Sequence, residues 1–205
     1  MLPPLCSDDR RRLLRLARTA LAEVILRNRI PDPPEPAGRL AEHSGAFVTL
    51  YCRGRLRGCM GVVGAELSLS ETVVQAAVSA ARHDPRFSAV TPEELAHVEI
   101  EISVLSQPRQ IETVAIEVGR HGLLVTRGRN RGLLLPQVAA ERAWPVERFL
   151  EETCRKAGLA PEAWRDPQTQ VLGFTAEVIC EKEFPAPATG WIGDLTPWQA
   201  PEWNE

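Results

Sequence analysis

The stretch LRGCMG at 56–61 holds a thiol, Cys59, between Gly58 and Gly61 and two residues from the guanidinium of Arg57. A nearby cation favours the thiolate, which is the nucleophilic form of cysteine. On a regular strand, period-two geometry puts Arg53, Arg55, Arg57 and Cys59 on one face. Arg57 could then hold an anionic group through charge-assisted hydrogen bonds. The two glycines add no side-chain bulk, so another backbone or a ligand could approach closely. The plainer alternative is a glycine bulge that curves a hairpin around a packed, inert cysteine. At this point both readings stand.

A second candidate is GRHG at 119–122, where His121 sits between glycines at the entrance of an expected strand. Such a histidine could act as general base or as partner to a thiolate. A third is the acidic set Glu99 and Glu101 on one strand with Glu177 on the last. These side chains are ordinarily solvated, but a carboxylate such as Glu101 or Glu177 could orient His121. Ser-His-Asp, HExxH, a phosphate-cradling glycine loop and GxGxxG are all missing from the chain. Cys59 and His121 offer two metal ligands where a stable site needs three or four, so no metal is expected.

The elements that carry these residues follow from caps and periodicity. Ser7 is placed to cap a first helix, with Asp8 and Asp9 at the positive end of its dipole. Leu13, Leu16, Ala17, Ala20, Leu21, Val24 and Ile25 make one apolar stripe, and Arg11, Arg12, Arg15 and Arg18 are expected mostly on the solvated side. PDPPEP at 31–36 ends the helix as a stiff linker. GAFVTLYCRGRLRGCMGVVG reads as a hairpin turning at Arg53-Gly54, with Cys59 on its return arm. Ser68 and Glu71 stand at capping-box spacing ahead of an Ala/Val-rich helix suited to lie flat on a sheet. That helix ends by Asp84-Pro85, because the residue before proline resists the helical region.

Thr91, Pro92 and Glu94 cap a further short helix, and VEIEISVL alternates cleanly, with Val98, Ile100, Ile102 and Val104 on one face. GRHGLLVTRGRNRGLLLPQVA predicts a second hairpin whose turn carries Arg127, Arg129 and Arg131. PVERFLEETCRKAG is a helix closed by Gly158, and QVLGFTAEVICE a last strand. The order is helix, hairpin, helix, strand, hairpin, helix, strand, which is α+β with antiparallel pairing dominant. From residue 185 the chain is rich in proline and tryptophan and carries no Lys or Arg. This is expected to be an extended arm that packs on the protein's own body or meets a partner.

A chain of 205 residues with net charge −3 can bury a substantial core and has no bulk charge suited to nucleic acid. Arginines interrupt every candidate signal segment, and no apolar run is long enough to span a bilayer. Five scattered cysteines without CxxC spacing fit reduced thiols, so a cytoplasmic protein is expected. Cys154 and Cys180 are expected to be small packed hydrophobes.

Several motifs occur together and in order: LRGCMG at 56–61, DPRF at 84–87, EISVLS at 101–106, GRHGLLV at 119–125 and GLLLPQVA at 132–139. FLEETCRKAGL follows at 149–159, with Trp144 and Trp164 on either side of it. From about residue 10 to 184 the chain closely resembles the family of the Alport syndrome, midface hypoplasia and elliptocytosis chromosomal region protein. Bacterial members of that family are called AmmeMemoRadiSam system protein A. The family usually has isoleucine where Met60 stands. The resemblance implies an antiparallel, barrel-like sheet with flanking helices and two lobes with a cleft. It implies a single domain over 1–184, with 185–205 as an appended arm outside the family pattern.

The same resemblance implies partners: a Memo-like protein and a radical S-adenosylmethionine enzyme. The family RGC falls on Arg57, Gly58 and Cys59, and its HG pair on His121 and Gly122, residues regarded as lining the cleft. The favoured function is an accessory or binding protein in a modification pathway, with no cofactor of its own and a small anionic ligand. A homodimer through the tryptophan-rich tail is a further expectation. The alternative is an enzyme with Cys59 as nucleophile, His121 as base and Glu101 or Glu177 orienting it. RNA binding through the arginine turn is opposed by the chain's acidity and its single tyrosine.

Overall fold

The structure is a computed structural model, and it describes residues 4–33, 35–64 and 66–184. The Pro/Trp-rich arm expected at 185–205, and with it the expected homodimer contact, lies outside the described residues. The fold is α+β. The chain divides into two compact units: residues 105–177 make one, and the preceding chain together with 178 onward makes the other.

In the unit that begins the chain, α1 spans Ser7–Arg27. Its cap is Cys6, one residue earlier than expected, whose sulfur accepts the Asp9 N–H at 3.4 Å. The predicted stripe is buried in full. Arg18 departs from expectation: it is buried, not solvated. Its Nε donates to Glu181 at 3.0 Å and its Nη2 to the Val98 carbonyl at 2.8 Å, while Glu181 also accepts the Ile100 N–H at 3.1 Å. A buried cation persists only when its donors are met in this way. The helix ends at Asn28 in the left-handed region, ahead of the prolines.

Strands β1 (Ala46–Cys52) and β2 (Arg55–Val62) form the predicted hairpin, with Arg53 and Gly54 both at positive φ. That pair of angles suits the right-handed twist of the flanking strands. Helix α2 (Leu69–Arg82) starts on the expected capping box of Ser68 and Glu71. Short α3 (Pro92–Leu95) follows Thr91, whose N–H donates to Glu94 at 2.9 Å. Strand β3 is Val98–Leu105, and the strand order here is β2-β1-β3. Val98, Ile100, Ile102 and Val104 join Val48 and Leu50 against α1 and α2 in one core.

In the other unit, β4 (Arg109–Gln110) is a short edge strand. The hairpin of β5 (His121–Arg127) and β6 (Asn130–Leu134) ends sooner than predicted. Pro136 opens a short helix, α4 (Pro136–Glu141), because proline at the first helical position lacks only a hydrogen bond that no residue there can make. Helix α5 (Val146–Lys156) closes as expected, with Gly158 at φ +72°. Strand β7 (Gln170–Cys180) pairs antiparallel with β5 and β4, and its last residues, from 178, belong to the first-described unit. Leu123, Phe149 and Leu150 form the centre of this unit's core.

Candidate functional site

Strand β2 is not regular. Arg55 pairs with Cys52 and Leu56 with Tyr51, but Gly58 pairs with Leu50, so Arg57 is the extra residue of a bulge. Beyond it the alternation is reset: Cys59 pairs with Thr49 and shares its face, while Arg55 falls on the Leu50 face. The expected common face of Arg53, Arg55, Arg57 and Cys59 is therefore corrected. One inserted residue inverts side-chain direction for everything that follows it. Gly58 is explained by packing, since a Cβ there would stand 2.2 Å from the Ala80 carbonyl oxygen of α2. Gly61 likewise lies under its neighbour: a Cβ would meet the Phe47 Cα at 2.6 Å and ring Cγ at 2.7 Å.

Arg57 has all three guanidinium nitrogens engaged. Nε and Nη2 donate to the two oxygens of Glu94 at 2.8 and 3.0 Å, Nη1 to the Ser88 carbonyl at 2.8 Å and Nη2 to the Ala89 carbonyl at 3.0 Å. The hydrogen bonds from Arg57 hold the Glu94 carboxyl below its ordinary range. This arginine ties the bulge to the loop before α3.

Cys59 has a different set of neighbours. Its N–H donates to Asp84 Oδ2 at 2.8 Å, and Thr49 Oγ1 lies 3.2 Å from its sulfur. Asp84 follows the end of α2, where Pro85 forbids another helical turn. It is 4% exposed and accepts three more hydrogen bonds, all from Arg86: the backbone N–H at 3.1 Å, Nε at 2.9 Å and Nη2 at 2.7 Å. These bonds from Arg86, followed by the Cys59 N–H, hold the Asp84 carboxyl far below the usual carboxylate range. Arg86 keeps 53% of its side chain in solvent. Its Nη2 also donates to the Cys59 carbonyl at 3.4 Å.

Glu101 faces the same way, because Thr49 pairs with Cys59 on one side and with Glu101 on the other. Its Oε2 lies 3.5 Å from the Cys180 sulfur. Burial, and then the Glu101 charge, push the Cys180 thiol up to about 11. Cys180 is thus a thiol facing a carboxylate, not simply a packed hydrophobe, whereas Cys154 is fully buried as expected.

The other three predicted residues, His121, Gly122 and Glu177, belong to the other unit. His121 Nδ1 accepts the Glu117 N–H at 3.0 Å, and the His121 N–H donates to the Glu117 carbonyl at 2.9 Å. With Nδ1 so occupied, the neutral ring carries its proton on Nε2 and presents a donor there. Gly122 lies under the Phe174 ring, 2.3 Å from where a Cβ would stand. Glu177 lies two residues past Thr175, the register partner of His121, so strand alternation puts it on the His121 face.

The structure thus brings Cys59, Thr49 and Glu101 into one cross-strand row and adds Asp84 and Arg86, which the reading of the sequence passed over. The signal for them was DPRF: an aspartate before a helix-stopping proline and an arginine two residues on. Among the described residues no three His, Cys, Asp or Glu side chains gather as a metal site. No described helix is long and apolar enough to cross a membrane.

The AMMECR1 family matches residues 14–179. A protein of Methanothermobacter thermautotrophicus is 43% identical over 87% of this chain and 97% of its own length. Protein TK0174 of Thermococcus kodakarensis is 45% identical over 84% of this chain and 90% of its own. The crystal structure of uncharacterized protein PH0010 from Pyrococcus horikoshii superposes with a TM-score of 0.76 at 43% identity, covering 81% of this chain and 88% of that one. With the family pattern running across the Cys59 row, DPRF and His121 alike, this chain is a member of the AMMECR1 family.

Proposed function

We propose that the chain is a binding or accessory protein whose working surface is the strand face bearing Cys59, Thr49 and Glu101. The observation that carries this reading is the company of Cys59. The thiol is met by the Thr49 hydroxyl, and the Arg86 guanidinium reaches the backbone carbonyl of the same residue. Asp84, the carboxylate that accepts the Cys59 N–H, is already taken up by four hydrogen bonds. Such a site can hold an anionic group or a soft ligand, but it lacks a ready proton acceptor for turnover. The reading takes over from the family resemblance the expectation of a cleft and of work in the cytoplasm beside a Memo-like protein and a radical S-adenosylmethionine enzyme.

Co-purification of the full chain with those two proteins tests it. Cys59→Ser, which changes little but the thiol, is expected to leave the complex intact, whereas Glu101→Arg, which reverses the charge on that face, is expected to weaken it. A complex indifferent to Glu101→Arg, or no complex at all, removes the reading.

One observation favours a second reading, in which Cys59 is a nucleophile: the Arg86 guanidinium reaches the Cys59 carbonyl, which sets a cation near the thiol. That reading needs His121 or a carboxylate to take the proton. It expects Cys59 to be alkylated by iodoacetamide faster than the same residue in the denatured chain. Equal or slower labelling sinks it.

A further inference from the structure

We infer that Arg86, fixed by Asp84, is the residue that recognises the anionic group of whatever ligand binds beside Cys59, a carboxylate or a phosphate. This rests on the strand face proposed above as the binding surface, and it moves the anion-holding role from Arg57 to Arg86.

Each arginine has a carboxylate partner, Glu94 for Arg57 and Asp84 for Arg86, but the two differ in what they have left to offer. Arg57 has all three nitrogens engaged with Glu94 and two carbonyls, and its side chain is 13% exposed. Arg86 uses only the Nε and Nη2 edge of its fork on Asp84 and the Cys59 carbonyl. Nη1 makes no hydrogen bond among the described residues, and half the side chain is in water. The bidentate Asp84 contact fixes the plane of the guanidinium, so its open edge is pre-oriented and little side-chain entropy is lost on binding. Asp84 is in turn fixed by the Cys59 N–H, so cation and thiol are held in register with each other.

The same face offers further polar groups. Thr49 Oγ1, at 3.2 Å from the sulfur, is a hydroxyl donor. Ser103, two residues along β3 from Glu101 and 1% exposed, has a hydroxyl with no hydrogen-bond partner among the described residues. A buried orphan hydroxyl is costly unless something binds it. The negative charges facing the site are Asp84, whose charge is shared among four donors, and Glu101, which lies beyond Thr49 in the row. The expected ligand is therefore small and carries its anionic group at one end, toward Arg86 and away from Glu101.

Paired alkylation tests this on the full chain. Iodoacetate and iodoacetamide differ in charge but not in the bond they make: sulfur displaces iodide in both. The rate ratio at each cysteine, read by peptide mass spectrometry, reports the local field. At Cys59 the ratio is expected to exceed that at Cys6, whose sulfur lies 3.2 Å from an Asp9 oxygen. Arg86→Gln is expected to lower the Cys59 ratio about threefold with little change in iodoacetamide labelling, and added salt to lower it in wild type. Arg86→Lys, which keeps the charge, guards against a fold defect and retains most of the ratio.

An unchanged ratio in Arg86→Gln overturns the inference while leaving the binding surface itself standing. A wild-type chain that forms no complex in the experiment above has the opposite meaning: it removes the binding reading and leaves the charge effect of Arg86 standing. Should folded Cys59 resist both reagents, titration with inorganic phosphate decides, followed by NMR at the Cys59 amide and Arg86 Nε–H. Shifts in wild type that vanish in Arg86→Gln support the inference, and no shifts in wild type overturn it.

Discussion

Cys59 and His121 stand beside glycines on paired strands, yet the glycines serve different ends and the two sites are built over different distances. Gly58 admits the backbone of α2, while Gly122 admits the ring of Phe174. The groups around Cys59 come from Thr49 on the partner strand and from Asp84 and Arg86 past the end of α2. Among the described residues the His121 ring and N–H bond to Glu117, four residues away. A residue whose partners are gathered from afar is where the fold concentrates polar chemistry. One whose partners are local closes a turn.

The comparison is broken most severely at the glycines themselves. Gly58→Ala sets a methyl 2.2 Å from a helix carbonyl, which cannot yield without moving α2, and should destabilise by roughly 3 kcal/mol or more. Gly122→Ala meets a ring that can tilt, and should lose about 1–2 kcal/mol less. Urea unfolding of both variants checks the order. Equal losses would mean that α2 adjusts as readily as Phe174 does.

Asp84→Asn comes next. Asparagine keeps an acceptor for the Cys59 N–H but loses the charge facing Arg86. The loss at neutral pH should be about 2 kcal/mol, moderated because Arg86 is half in water. The folded-state carboxyl titrates below its unfolded value of about 3.9. Its contribution is therefore fully present above about pH 4 and is lost as pH falls through the folded-state value. Wild type and Asp84→Asn should converge in acid. Parallel stability curves down to pH 2 would show that the carboxyl does not carry the difference.

Much of this was legible from local signals. The capping box at Ser68, the alternation of β3 and the Arg53-Gly54 turn depend on neighbours in the chain, and the structure has them as read. The face of Cys59 was not legible, because the bulge at Arg57 is imposed by α2 pressing on Gly58 and by Glu94 drawing Arg57 aside. Arg18 was misplaced for a related reason: its partners are Glu181 and the Val98 carbonyl, far along the chain. DPRF was visible as a motif, but nothing in its spacing says that its aspartate accepts the Cys59 amide.

Arg57→Gln sharpens the distinction between the two arginines. It removes a two-point ion pair that is only partly exposed and should lose about 1–2 kcal/mol in thermal unfolding. The iodoacetate preference at Cys59 should survive. If that preference falls as far as in Arg86→Gln, the bulge arginine shares in anion recognition and the contrast drawn between them collapses.

The smallest effect is expected at His121. Its Nδ1 accepts the Glu117 N–H, so His121→Ala leaves that donor to water at an exposed turn and should lose about 0.5 kcal/mol. His121→Asn, whose amide oxygen can accept the same N–H, should recover part of the loss. Neither variant should slow iodoacetamide labelling of Cys59 by more than about twofold, because a ring whose Nδ1 is occupied and whose Nε2 bears the proton offers no lone pair to a thiol. A tenfold slowing in both would make His121 the base that the thiol requires. The enzyme reading would then displace the binding one, and Gly119 and Gly122 would have to be understood as room for that ring to move.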